Sequence, residues 1–357
     1  MSEERQKILR LLEEGHITSE EAEKLLNALE KGKAEQEKSK ESSNEHQDAF
    51  QEFKEDLKSF TSGILNFVDD TIQRVKDGPF EFTFSHVQVK RKFEFHADEI
   101  NQLNVDLTNS RIEFLPSNDS TIVVQCIGKV HKEDDQERAE EKFDDVLSVG
   151  VTNETLHIDQ KSGNVSIEHI IYLPEKEFEQ AYIKTINGSI KGRSVNLKFA
   201  RVSTVNGSIR LSDYQGDAIF IESKHGSLRL DEANLSKVKL ETKTGSIYYD
   251  GQVDYLDVDV TTGSLRTYLH NSTVQRVDLS STTGSSQLYL PKGLKVKGTA
   301  STGVGSIDVN IPEVVVSKMD DHSVKKLVQF YNATDDENYA DVDIETKTGS
   351  IKVNTLN

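Results

Sequence analysis

Tryptophan is absent from the 357-residue sequence, which has one cysteine, five prolines and two methionines. A lone Cys126 excludes an intrachain disulfide and a cysteine-built metal cage. It sits in the apolar, β-branched run Thr121-Ile122-Val123-Val124-Gln125-Cys126-Ile127 and reads as a buried, unreactive strand thiol. No stretch approaches the ~20 apolar residues of a membrane-spanning helix. The N-terminal Met1-Ser2-Glu3-Glu4-Arg5-Gln6-Lys7 lacks the apolar centre of a secretory signal, so the expected location is the cytoplasm. Positive charge is scarce as well: 43 Lys and Arg stand against 61 Asp and Glu, a formal net charge of -18. Nucleic acid is not an expected partner, because binding it requires cationic surface to displace phosphate counterions. With only 35% apolar residues, the core must be thin or repetitive.

Motifs that carry chemistry are missing too. The ten histidines include no i, i+4 pair of a metal-binding helix. There is no Gly-x-Ser-x-Gly elbow and no Walker loop, and Gly303-Val304-Gly305 lacks the third glycine and the helix of a dinucleotide fingerprint. No enzyme activity, cofactor or bound metal is expected. Two carboxylate groups test that expectation, since a polysaccharide-cleaving solenoid would use such a pair. Asp257 and Asp259 share one strand face, as do Asp341, Asp343 and Glu345. They read as charged, solvated faces that discourage edge pairing, with Ca²⁺ binding or acid–base work as the sharper alternative. The nonapeptide of calcium-bound β-rolls is absent.

Four regions follow from what is present. Residues 1–31 read as a helical hairpin: Ile8, Leu9, Leu11 and Leu12 share one side, Gly15 stops the first helix, and Thr18 with Glu21 can form a capping box for the second. So few residues cannot bury enough surface to stand alone. Ile8, Leu12, Leu25 and Leu29 are therefore the candidate face for a protein or peptide partner. Residues 32–47 form a charged linker. Over 48–77, Phe50, Phe53, Leu57, Phe60, Ile64 and Phe67 step by three and four, the stripe of an amphipathic helix. Its mixed-charge polar face favours packing on the β-domain or homo-oligomerisation through residues 48–76 over a membrane surface. From residue 78 to 357 the period drops to two, with one further helix expected at 133–147.

Within this last region a turn recurs. Its glycines are Gly188, Gly207, Gly226, Gly245, Gly263, Gly284, Gly305 and Gly349, each followed by Ser and, at most positions, Ile or Leu. Successive steps are 19, 19, 19, 18, 21, 21 and 44 residues, the last being two rungs or one rung with the insertion Ser323–Tyr331. Echoes at Thr108-Asn109-Ser110 and Ser162-Gly163-Asn164 place the start of the repeat before the clean rungs, which begin near residue 176. A constant step is the mark of a solenoid whose strands stack at ~4.8 Å. The expected fold is mainly β: an elongated, parallel β-helix-like solenoid of 19–21-residue rungs. Glycine takes the corner where φ turns positive, flanking Thr, Ser and Asn form ladders, and residues such as Val238 and Leu240 fill the bore.

Tyr172-Leu173-Pro174, the Asn187-Gly188-Ser189-Ile190 rung and the Thr-x-Thr-Gly-Ser-Ile rungs resemble the bacterial "putative adhesin" β-strand-repeat family over about residues 80–357. The opening Ile8-Leu9-Arg10-Leu11-Leu12-Glu13-Glu14-Gly15-His16-Ile17-Thr18-Ser19-Glu20-Glu21-Ala22 is similar to the SHOCT-type hairpin that precedes this repeat in LiaX/YvlB-like proteins. The resemblance implies a non-enzymatic regulatory or binding role in the Gram-positive envelope-stress response. It further implies a link to defence against antimicrobial peptides, signalling components or membrane as partners, and association with the cell surface. It carries over no catalytic residue. The competing expectation is an extracellular adhesive or structural β-solenoid.

Overall fold

In the computed structural model, residues 86–161, 163–319, 325–333 and 338–356 are described, all within the compact unit Gln73–Asn357. The expected hairpin with Ile8, Leu12, Leu25 and Leu29, the linker and the 48–77 helix lie outside the described residues.

The described chain is almost entirely β. It begins with β1 (His86–His96), β2 (Gln102–Leu107), β3 (Ser110–Ser117) and β4 (Thr121–His131), followed by the helix α1 (Gln136–Val146). Then come β5 (Leu147–Thr152), β6 (Thr155–Gln160), β7 (Val165–Pro174) and β8 (Phe178–Asn187). The rungs proper are β9 (Ile190–Asn206), β10 (Ile209–His225), β11 (Leu228–Thr244) and β12 (Ile247–Thr262), continued by β13 (Leu265–Leu269), β14 (Arg276–Thr283), β15 (Ser286–Leu290), β16 (Val296–Val304) and β17 (Ile307–Asn310). The chain closes with β18 (Val315–Met319), β19 (Lys326–Tyr331), β20 (Ala340–Thr348) and β21 (Ile351–Thr355).

Each rung has a leading arm that enters the glycine turn and a trailing arm that leaves it. Trailing arms stack in parallel register, Ile190 on Ile209 on Leu228 on Ile247 on Leu265. Leading arms do the same, Val202 on Ile221 on Leu240 on Val258 on Leu279. Alternate residues of both arms point inward, so these side chains form continuous buried columns. A second corner falls at Ser194, Asp213 and Glu232, each with φ 52° and spaced by the repeat. The 18-residue rung drops this residue: pairing jumps from Leu230↔Tyr249 to Ala233↔Gly251, and register is restored beyond it.

Rung order departs from chain order at both ends. The first rung, β2 and β3, lies inside the stack: β2 pairs with β6 and β8, and β3 with β7 and β9. The last rung is inserted likewise. β20 lies between β14 and β16, and β21 between β15 and β17. The 44-residue step is thus one detour: β18 and β19 form an antiparallel hairpin against β16 before the chain returns to fill the slot.

Helix α1 closes the N-terminal side. The Asp135 carboxylate accepts from Arg138 N at 2.9 Å as its cap, and Ala139 and Phe143 are fully buried. The expected helix is present, shorter than 133–147 because Asp135 caps its start at Gln136 and Leu147 already belongs to β5. Gly163 does not join the glycine corner; it lies in the turn between β6 and β7, where a Cβ would meet Val146 of α1 at 3.1 Å.

Candidate functional site

At the glycine corner, Gly207 follows Gly188, and Gly226, Gly245, Gly263 and Gly284 follow in turn; Gly349 comes next and Gly305 last. A Cβ on any of them, Gly188 included, would lie 1.7–2.2 Å from a backbone oxygen of the preceding rung. Ser110, below Gly188, supplies the first of these oxygens. Close stacking, more than φ, demands glycine, since Gly207 and Gly226 lie outside the left-handed region. Hydroxyls three residues earlier seal the corner from inside. Thr204, Ser223 and Thr242 donate to the carbonyls of Gly188, Gly207 and Gly226 at 3.1, 3.0 and 3.0 Å. These features build the corner; they offer no reactive group.

The two carboxylate sets, far apart in sequence, meet on the outer face of the leading arms because β20 is inserted beside β14. Asp257, Asp278 and Asp343 occupy one register position on successive rungs, and Asp259, Ser280 and Glu345 the next. Cations knit them together. Lys239 Nζ reaches Glu241 at 2.8 Å and Asp257 at 3.1 Å; Arg276 bonds Asp278 at 2.9 Å and Asp341 at 3.3 Å. Thr299 donates to Asp343 at 3.1 Å. Burial raises the carboxyl pKa of Asp259, Asp278 and Asp343. Burial opposes the charge of Lys239, but Asp257 and Glu241 outweigh it and hold the ammonium pKa above its ordinary value. The described residues include no cluster of three or more His, Cys, Asp or Glu arranged to hold a metal ion.

A Cys–His pair missed by the sequence reading lies inside the N-terminal part. Cys126 Sγ is 3.4 Å from His169 Nδ1, and both residues are 0% exposed. Burial pushes the thiol up to about 12 and the imidazole down to about 3. A neutral thiol beside a neutral imidazole, closed to solvent, cannot serve as a nucleophile. The β4–β7 register that places His169 opposite Cys126 is antiparallel and long-range, so sequence spacing held no signal for it.

The trailing arms present a different outer face. Lys191, Arg210, Arg229, Tyr248, Arg266, Gln287 and Lys352 follow one another at one register position. Two residues further on, Tyr268, Tyr289, Asn354 and Asn310 do the same. Arg229 lies over the Tyr248 ring at 3.9 Å, and Tyr268 and Tyr289 are stacked at 4.5 Å with 9° between their planes. Beside them, Tyr268, Tyr289, Asn310, Asn354, Thr355 and Leu356 line a groove of ≈ 660 Å³. Just past the second corner, Asn196, Gln215, Asn234, Gln252 and Asn271 line a smaller polar groove of ≈ 300 Å³ with acidic residues such as Asp217 and Asp254. The tyrosines recur at the rung interval, a signal legible only after the repeat has been aligned.

Among the described residues no helix is long and apolar enough to cross a membrane. Comparison with known proteins adds a SHOCT-like domain model matching residues 3–34. The uncharacterized protein YvlB of Bacillus subtilis (strain 168) is 24% identical over 205 residues, 56% of this chain and 56% of that protein. The match therefore spans about half of that relative's length. Among solved structures, a "putative adhesin" of Bacteroides fragilis NCTC 9343 is 11% identical, covering 77% of this chain and 100% of that one, with a TM-score of 0.44. A "putative cell adhesion protein" of Clostridium sporogenes ATCC 15579 is 16% identical, covering 76% and 100%, with a TM-score of 0.28. A model of the Toastrack DUF4097 family matches residues 100–354, the span of the rung stack and well over half of the sequence. The chain belongs to the Toastrack DUF4097 family.

Proposed function

We propose that this protein is a non-enzymatic binding and regulatory protein of the bacterial envelope-stress response, active in defence against membrane-attacking peptides. The Toastrack stack is its scaffold, and the SHOCT-like segment engages a signalling partner through Ile8, Leu12, Leu25 and Leu29. The observation that carries this reading is the joining of those two modules in one chain, at residues 3–34 and 100–354. The outer face of the leading arms supports the scaffold part of this reading, since Lys239 and Arg276 tie Asp257, Asp278 and Asp341 into a lattice that crosses from rung to rung. Residues 48–76 are assigned to self-association. Deleting the gene should raise sensitivity to a cationic membrane-active peptide and alter an envelope-stress reporter. Complementation with the wild-type gene should restore both, and the Leu12→Asp/Leu25→Asp variant should fail to. An unchanged stress response in the deletion strain overturns the reading. Protease treatment of intact cells then separates a cytoplasmic regulator from an extracellular adhesive solenoid.

A further inference from the structure

The groove beside Tyr289 is assembled by the inserted last rung. At this register position the outward column runs Tyr268, Tyr289, Asn354, Asn310, so two stacked rings are followed by two short amides. Tyr268 covers one face of Tyr289 at 4.5 Å. On the other side the drop in side-chain size from Tyr to Asn opens the ≈ 660 Å³ groove, a volume suited to a small ring-shaped ligand. Asn310 Nδ2 donates to Asn354 Oδ1 at 3.2 Å, which occupies only one polar atom of each amide. An aromatic wall next to amide donors and acceptors suits a sugar ring, whose C–H face packs on the aromatic ring while its hydroxyls take the amides.

Charge narrows the ligand further. The molecule carries -18 overall, yet this face gathers Lys191, Arg193, Arg210, Arg229, Arg266 and Lys352 against Glu113, Asp231, Asp250 and Asp308. Arg266 and Lys352 are exposed and flank the tyrosine stack. We propose that the trailing-arm face binds an anionic glycan, with one sugar ring against Tyr289, its hydroxyls on Asn310 and Asn354, and its acidic groups on Arg266 and Lys352. A single-stranded nucleic acid fits less well. Tyr268 and Tyr289 are stacked on each other, leaving one open ring face where successive bases would need several. This inference rests on the binding-scaffold reading and adds the ligand class to it.

The test titrates the full-length protein with an oligogalacturonate, a neutral chitin oligosaccharide, an oligothymidylate and phosphatidylglycerol vesicles. The oligogalacturonate is expected to bind, and the neutral sugar roughly tenfold more weakly. Tyr289→Ala should weaken the acidic sugar roughly tenfold while Tyr289→Phe retains it. Arg266→Gln with Lys352→Gln should flatten the salt dependence. If Tyr289→Ala lowers the melting temperature, Asn310→Ala with Asn354→Ala probes the same groove from the amide side. Absence of oligogalacturonate binding, binding indifferent to these variants, or tighter Tyr289-dependent binding of the oligonucleotide or vesicles overturns the proposal. A glycan-blind protein in cells with a normal gene-dependent stress response would sink this inference alone and leave the proposed function standing.

Discussion

Single residues in this fold are constrained by the rung below as much as by their own backbone. Gly207 shows it: its φ is not left-handed, but a Cβ there would lie 1.9 Å from the carbonyl oxygen of Gly188. Gly207→Ala should therefore cost about 1–3 kcal/mol through forced separation of two rungs. Gly150→Ala, where nothing lies within 4 Å, should stay within about 0.5 kcal/mol of wild type or gain slightly. Urea midpoints of the two variants read the difference directly. His169 carries a pH prediction. Its folded pKa is depressed to about 3 from an ordinary 6.5 by burial, so the fold requires the neutral ring. That stability is present above pH ~6.5 and is lost as pH falls towards ~3, at up to ~1.4 kcal/mol per pH unit. Glu222 and Asp278 act in the opposite sense: burial raises their folded pKa, so they add stability as pH falls through the carboxylate range. Subtracting the pH profile of His169→Gln from that of wild type isolates the histidine. The variant should lose less stability between about pH 6.5 and 4.5, and parallel profiles would contradict the assignment.

Among the described elements, the helix α1 interrupts the β pattern, and its place depends on one notch. Gly128 of β4 has no side chain, and the Phe143 ring fills the space; a Cβ at Gly128 would lie 2.1 Å from it. Arg91 anchors the helix from outside through Asp144 at 2.8 Å and Glu140 at 3.2 Å, exposed pairs of modest worth. Phe143→Ala should accordingly cost about 3–5 kcal/mol, whereas Arg91→Ala should cost under about 1 kcal/mol. Thermal unfolding of both variants checks the ranking. Amphipathic spacing of Ala139, Phe143 and Val146 made the helix legible in the sequence. Its partner surface was not, because β1, β4 and β7 meet only through antiparallel long-range pairing.

At the scale of the stack, the inserted last rung joins two parts of the unit that chain order would leave adjacent. β14 and β16 have no direct pairing; β20 bridges them, with Val342 fully buried between Val277 and Gly298. Solenoid stability is close to a sum of rung and neighbour terms, so damage should stay local. Val342→Asp is expected to strip hydrogen-exchange protection from β14, β16 and β19 while β9, β10 and β11 keep theirs. Uniform loss across all rungs would show that the stack melts as a single cooperative block. The same insertion creates the Tyr289 groove, so a variant that displaces β21 from its slot should also lose any ligand held there.

What the sequence determined by itself was periodic: mainly β structure, a rung of about 19 residues, glycine at one corner and alternating apolar residues in the bore. These are local rules repeated many times, and each rung restates them. The order of the rungs was decided only by tertiary structure, since equivalent rungs can stack on either neighbour and a step of 44 residues fits more than one path. The meeting of Asp257 and Asp259 with Asp343 and Glu345 and the groove of Tyr289 with Asn354 follow from that order, and the Cys126–His169 contact follows from the antiparallel pairing of β4 with β7. Nearest-neighbour contacts in a solenoid repeat along the chain until the chain itself turns back. From that point, which side chains meet depends on where the returning strand finds open backbone hydrogen bonds, and no local pattern records it.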